Sequence, residues 1–344
     1  MIDRSRLASL RAAEEDRFAD LHPHSADLAE QARGPLLAGV PMPWMTRWPG
    51  RFPVFFESAS GARLTDVDGT EYVDLCLGDT GAMTGHALPQ VTSALAERAS
   101  RGITTMLPSA DAVWVGEELA RRFGLPTWQL AMSATDANRF VLRFARHLTG
   151  RPRVAVMDWC YHGTVDETLA VLDDGRVVAR PGALGPQVPV AETTAVIPFN
   201  DADALDRRLA HGDVACLLME PALTNIGIVL PDPGYLEAVR EITRRRDVLV
   251  VIDETHTLCA GPGGATAAWG LDPDLLVVGK PIGGGVPCAA YGMTAEVADR
   301  LSGPMLGHEI DVAGVGGTLT GNALALAAIR ATLSTCLREQ DFAV

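Results

Sequence analysis

Chemistry in this chain starts from a residue that occurs once. Of its 29 basic residues, 28 are Arg and one, Lys280, is Lys. An Arg-biased composition explains why solvated cations became Arg, but not why one Lys stayed. Guanidinium keeps its charge, whereas an amine can be deprotonated and attack a carbonyl. Lys280 ends the apolar run LLVVG (275–279) and opens PIGGGVP, whose three glycines leave room for a bulky ligand or another chain to pass close. A phosphate-binding P-loop is excluded, because Asp274 takes the place of its first Gly and Pro281 follows the Lys. No GxGxxG turn is present either.

Upstream, Asp253-Glu254-Thr255-His256 closes the run VLVVID (248–253). A carboxylate at a buried strand end can hold a protonated heterocycle, each charge favouring the ionised form of the other. Asp253 and His256 lack a third metal ligand at a recognisable spacing, so His256 reads as a supporting or structural residue. Ser133-Ala134-Thr135 follows another strand and opens a helix, where hydroxyls and free N–H groups suit an anion; an ordinary N-cap is the plainer alternative. Tyr161 offers a ring that can stack on a flat ligand or merely pack. One reactive amine, an acid for a ring nitrogen, a phosphate cradle and a stacking ring are together the equipment for pyridoxal 5′-phosphate.

These residues need a frame. Short apolar runs at 128–133, 153–158, 193–198, 214–220, 248–253 and 275–279 alternate with helical patterns at 89–101, 111–123, 135–149, 201–211 and 234–246. That alternation predicts an α/β fold with a mostly parallel central sheet flanked by helices. CAAYGM (288–293) reads as one more strand, and 321–337 as a last helix. Residues 3–20 read as a charged amphipathic helix and 34–53, rich in Gly and Pro, as a connecting loop. ARLTDV, Asp68-Gly69 and EYVDLCL form a hairpin pattern. In such sheets ligands sit at the carboxyl ends of the strands, which is where the residues named above fall.

From about Gly61 onward the chain resembles the fold-type I, class III aminotransferases, nearest in pattern to their glutamate-1-semialdehyde aminomutase branch. The resemblance rests on MSATDA (132–137), CYHG (160–163), MEPALTNIG (219–227), IDE (252–254), GKPIGGGVPCAAYG (279–292) and GTLTGN (317–322), in that order. It implies a pyridoxal 5′-phosphate enzyme with a Schiff base on Lys280 and the pyridine nitrogen on Asp253. Ser133, Ala134 and Thr135 would take the phosphate, Tyr161 would stack on the ring with His162 beside it, and Asn225 would lie near the phenolic oxygen. Thr318 would reach the phosphate of a neighbouring subunit, in a homodimer with shared active sites. Arg47, Arg51, His256 and Glu220 are candidates for the substrate side. The resemblance also implies an N-terminal helix and connecting segment at 1–60, a large cofactor-binding domain at 61–319, and at 320–344 the start of an incomplete small domain.

Two departures shape the expected activity. Where the aminomutase branch carries a Ser and an Arg for its substrate carboxylate, this chain has VPMPWM (40–45), with Met42 and Met45 at those places. That favours an intermolecular aminotransferase, moving an amino group from an amino acid or amine to a keto or aldehyde acceptor, over the aminomutase or an impaired cofactor-binding homologue. DETHTLC is likewise unlike the family's usual sequence after the acid. Composition fits a small-molecule enzyme. Among 344 residues, 43 acidic against 29 basic groups give a formal charge of −14, which suits neither nucleic acid nor an anionic membrane. Six cysteines without a CxxC pair suggest reduced thiols and a cytoplasmic setting.

Overall fold

Every one of the seven apolar runs becomes a strand of one sheet. The computed structural model describes residues 3–306 and 313–343. The chain divides into two compact units, Met1–Leu77 with Gly85–Leu88, and Gly78–Thr84 with Pro89–Val344.

In the first unit, α1 (Arg4–Leu21) starts where the Asp3 carboxylate accepts from the N–H groups of Ser5 and Arg6. It buries none of its residues. A second helix, α2 (Pro23–Ala32), follows at once, and Pro23 fits there because the first helical N–H needs no partner. A three-stranded antiparallel sheet contains β1 (Phe56–Ser60), β2 (Arg63–Asp66) and β3 (Glu71–Val73), with the expected Asp68-Gly69 turn joining the last two. The stretch 34–53 is not wholly irregular, since it carries short 3-10 turns at Leu37–Gly39 and Pro43–Thr46.

In the second unit the sheet order is β4 (Thr127–Ala131), β12 (Ala289–Met293), β11 (Leu275–Val278), β10 (Leu249–Asp253), β9 (Val214–Met219), β5 (Arg153–Met157) and β8 (Thr194–Ile197). Only β12 opposes the others, pairing antiparallel with both β11 and β4. Strands β9, β11 and β12 are buried at every position, as continuous apolar runs covered on both faces require. On one face pack α5 (Ala134–Thr149), α7 (Ala202–Leu209) and α8 (Tyr235–Arg245); α4 (Asp111–Phe123) and α11 (Ala323–Thr335) share a core with the other. Helix α5 sets Phe140 and Phe144 against Tyr291 of β12, each with ring centroids 6.0 Å apart. Helix α3 (Pro89–Ala99) lies on α11, and the short helices α6 (Val190–Thr193) and α9 (Gly264–Ala268) fill corners.

A hairpin and the helices α2, α6, α9 and α10 were not anticipated. Strands β6 (Ala170–Asp173) and β7 (Arg176–Ala179) form a separate hairpin around Asp174-Gly175. Both turn residues have positive φ, the geometry an Asp-Gly pair favours between apolar runs. Helix α10 (Ala295–Leu306) continues into a Gly-Pro dipeptide that breaks its sequence pattern.

Candidate active site

Because β4 opposes β12 and β12 opposes β11, β4 runs with β11, β10, β9 and β5. Five carboxyl ends therefore share one edge of the sheet. Asp253 is the last residue of β10, in register with Val277 of β11. Lys280 opens the single 3-10 turn Lys280–Gly283 just beyond β11. The segments after β4, β5 and β9 bring in Ser133–Thr135, Tyr161–Gly163 and Glu220–Asn225.

Asp253 is almost fully buried, yet it is well held. Its Oδ2 accepts from Asn138 Nδ2 and His162 Nδ1, both at 2.9 Å, and its Oδ1 from the Thr255 N–H at 3.0 Å. Burial alone would raise its pKa, but the His162 ring and the Thr255 and Asn138 bonds outweigh that and hold it at about 2. For His162, burial pulls the ring down, while Cys160 and the Asp253 carboxylate carry it well above its ordinary value. Oδ1 has one backbone donor and so keeps a lone pair for another, such as a protonated ring nitrogen. Asn138, which also donates to the His162 carbonyl at 3.1 Å, escaped the sequence reading. Its signal was there: it is the polar member of the buried stripe Ala137, Phe140, Val141, Phe144 on α5.

At the start of α5, Ser133 is the N-cap: its Oγ accepts from the Asp136 N–H at 3.2 Å and donates to the Asp136 carboxylate at 2.8 Å. The N–H groups of Ala134 and Thr135 precede any intrahelical acceptor and remain donors for an anion. Thr135 Oγ1 accepts from the Thr164 N–H at 3.2 Å, tying the loop after β5 to the cradle. Gly163 makes that approach possible. It has φ +80°, and a Cβ there would overlap Thr135 Oγ1 and lie 3.0 Å from the Thr135 Cβ. Likewise a Cβ on Gly279 would lie 3.0 Å from that of Ala134.

Lys280 has φ 44°, a left-handed backbone that an L-residue enters at a cost, and such strain gathers at functional sites. Its Nζ donates to Asp79 Oδ2 and makes hydrogen-bond contact with His256 Nε2. His256 Nδ1 lies 2.6 Å from Thr224 Oγ1, which donates to Glu220 Oε2 at 2.5 Å. Glu220 is buried, and its Oε1 has no partner among the described residues. The His256 ring, 3.7 Å from its Oδ2, and the Lys280 amine that donates to it hold the Asp79 carboxyl well below the usual range. Burial lowers the His256 ring, but Asp79 and Glu220 overcome it and raise it to about 9. Neither Asp79 nor Thr224 was foreseen; only the Gly-rich run around Asp79 and the position of Thr224 one turn past Glu220 hint at them.

Other expected residues are less engaged. Tyr161 is half-buried, and Asn225 Nδ2 reaches the Trp159 carbonyl at 3.5 Å. Thr318 is exposed in a turn. Arg47 and Arg51 are exposed in the first unit, where Arg51 pairs with Asp16. Of the three glycines after Lys280, two serve internal packing: a Cβ on Gly283 would strike Cys288 Sγ, and one on Gly284 would meet Thr332 Oγ1 at 2.7 Å.

The donor set suits pyridoxal 5′-phosphate: N–H donors for an anion, an ionised buried acid with a spare lone pair, and a lysine amine at the same edge. Fold and site together define a fold-type I pyridoxal-phosphate transferase. The family model for class-III aminotransferases matches residues 44–342, and the chain belongs to that pyridoxal-phosphate-dependent family. It is similar to the glutamate-1-semialdehyde 2,1-aminomutase of Myxococcus xanthus, 36% identical over 331 residues that cover 94% of this chain and 75% of the relative. It is also similar to the glutamate-1-semialdehyde-aminomutase of Pseudomonas aeruginosa PAO1, 50% identical with a TM-score of 0.94 over 98% of this chain and 76% of that one. A variant of that Pseudomonas enzyme has been solved with PMP. The omega-transaminase of Sphaerobacter thermophilus superposes with a TM-score of 0.82 at 31% identity, over 92% of this chain and 73% of that one.

Proposed function

We propose that this class III enzyme moves an amino group from an amino acid or amine to a keto or aldehyde acceptor, with Lys280 as its catalytic amine. The observation that carries the reading is the meeting of the chain's one lysine, a buried ionised carboxylate and a helix N-terminus at one sheet edge. Lys280, Asp253, Ser133, Ala134 and Thr135 would hold pyridoxal phosphate, with Tyr161, His162 and Asn225 around the ring. When bound, the cofactor supplies an electron sink for the carbon that bears the transferred nitrogen. Asp253, clamped by Asn138 and His162, would keep a proton on the cofactor's ring nitrogen. The Lys280 amine would take a proton from the carbon that bears the donor nitrogen and deliver it to the carbon on the other side of that nitrogen, two bonds away. The α5 N–H groups would hold the anionic end of the cofactor.

A second reading is an intramolecular 2,1-aminomutase, favoured by the names of the relatives at 36% and 50% identity. Met42 and Met45, standing where that branch has a carboxylate clamp, count against it. The two readings separate on glutamate 1-semialdehyde supplied alone: isomerisation without an added acceptor supports the aminomutase. We further propose a cytoplasmic homodimer, with Thr318 completing the partner's phosphate site. Exposed Met106, Leu107 and Ile228 are apolar surface that such a dimer would cover, and free cysteines suit a reducing compartment. We assign 1–60 to an N-terminal segment and 61–319 to the large domain.

The first test is an absorption spectrum after adding pyridoxal phosphate. A visible band that borohydride fixes to Lys280, absent in Lys280→Ala, is expected, and its bleaching by one amine among a panel would name the donor class. No band, or fixation elsewhere, overturns the assignment.

A further inference from the structure

The DETH segment sets an imidazole against the catalytic amine, and the hydrogen bonds around it fix its tautomer. A hydroxyl carries one proton. Thr224 Oγ1 donates that proton to Glu220 Oε2, so the 2.6 Å contact between Thr224 Oγ1 and His256 Nδ1 requires His256 to be the donor there. Nδ1 therefore holds a proton in either charge state, and Nε2 is the atom that gains or loses one. Nε2 is the atom in contact with Lys280 Nζ. Two nitrogens in hydrogen-bond contact hold one proton between them: either the ammonium donates to a neutral ring, or the imidazolium donates to a neutral amine.

We propose that His256 is the proton partner of Lys280, taking one proton from Nζ onto Nε2 and leaving the amine neutral and nucleophilic at neutral pH. The transfer balances, since Lys280 ammonium and neutral His256 become Lys280 amine and imidazolium with the net charge unchanged. The charged and titratable groups facing His256 are Asp79, whose Oδ2 is 3.7 Å from Nε2, Glu220, whose Oε2 is 3.7 Å from Nδ1, and Lys280 itself. Glu220 favours the imidazolium, whereas Asp79, whose Oδ2 also accepts from Nζ, favours a proton on either nitrogen and so holds the shared proton between them. The raised His256 basicity favours the imidazolium as well. His256 thus acts through Lys280, with Thr224 and Glu220 holding its ring in the orientation that presents Nε2.

This inference rests on Lys280 as the reactive amine but does not need the cofactor. Because Lys280 is the only lysine, an amine-directed reagent such as acetic anhydride reports on one side chain, with the terminal amine resolved by peptide mass spectrometry as an internal control. An ordinary lysine labels tenfold faster per pH unit up to about pH 10.4. In the cofactor-free wild type, the Lys280 rate at pH 7 is expected within about tenfold of its rate at pH 10, a flattened profile of the kind coupled groups give. His256→Gln can still bond Nζ but cannot take its proton, and should restore the steep profile and slow labelling at pH 7 by about tenfold or more. A steep wild-type profile overturns the proposal without recourse to any variant, as does a flat one unchanged in His256→Gln. A missing visible band with a flattened profile would refute the cofactor assignment and leave the proton partnership standing; the opposite pair of results would do the reverse.

Discussion

Gly163→Ala isolates the contact that joins two loops of the site. The substitution adds one carbon, and its cost has two separable parts. At φ +80° an L-residue adopts a left-handed backbone, at roughly 1–2 kcal/mol. The new Cβ overlaps Thr135 Oγ1 and lies 3.0 Å from Thr135 Cβ and 3.1 Å from its Cα. Relieving that overlap by backbone shift costs roughly 1–3 kcal/mol more. The sum, roughly 2–5 kcal/mol, can be measured by urea or guanidinium unfolding of the cofactor-free chain. In a Thr135→Ala background the overlap with Oγ1 disappears, while the backbone cost and the neighbouring Cβ remain. The two substitutions are in contact, so a double-mutant cycle should return a coupling of about 1 kcal/mol or more, with Gly163→Ala cheaper in the Thr135→Ala background. Pyridoxal-phosphate affinity should fall alongside, because the loop after β5 is forced away from the α5 N-terminus. An unchanged unfolding midpoint, or an identical cost in both backgrounds, would refute the argument that Thr135 occupies the place of a side chain at 163.

Other perturbations test the remaining contacts. Asp253→Asn should fold yet lose about 10²–10³ in turnover, the scale of removing one preorganised electrostatic group, read from kcat with saturating donor. The Asp253–His162 pair gives stability a pH window. Asp253, depressed to about 2, contributes above the ordinary carboxylate value of about 3.9 and loses that contribution as pH falls toward 2. His162, raised in the fold, contributes fully below its ordinary value of about 6.5, a contribution lost as pH climbs through its raised folded value. The unfolding free-energy gap between wild type and His162→Gln should therefore be widest between those limits and narrow at both ends; a gap flat from acid to alkali would remove the pair from the account. Arg122 is buried, pairing with Glu118 at 2.7 Å and donating to the carbonyls of Leu333 and Leu337 at 2.8 and 2.7 Å. Arg122→Met should cost about 1–3 kcal/mol, since the Leu333 and Leu337 carbonyls lose their donor while Glu118 keeps Arg121 as a partner, and an unfolding midpoint near wild type would contradict that.

The sheet was legible because strands buried on both faces must be continuous apolar runs, and the residues just past them could be singled out by their position alone. Lys280 and Asp253 stood out for the same reason: one is a residue type used once, the other a charge ending the run VLVVID. What stayed hidden was the support. Asn138 sits on a helix whose other inward residues are apolar, and sequence spacing does not tell that its amide faces an acid more than a hundred residues away. Asp79 meets Lys280 across an even longer interval, a juxtaposition set by the fold and by no local pattern. The β6–β7 hairpin was missed for a different reason, because its Asp174-Gly175 signal lies between two strands already expected and its own strands join neither.

One helix touches both ends of the site. Helix α5 has free N–H groups in its first turn that suit an anion and, one turn further along, extends Asn138 to Asp253, the acid proposed for a ring nitrogen. Thr135 and Asn138 are three residues apart, so the rise between them is about 4.5 Å. That interval is set by the peptide bond and cannot be stretched by side-chain motion or by opening of a loop. Helix α5 is in this sense a gauge. A ligand longer by one methylene between its anionic group and its ring would have to give up one contact to keep the other. The site would then discriminate by length before it discriminates by charge.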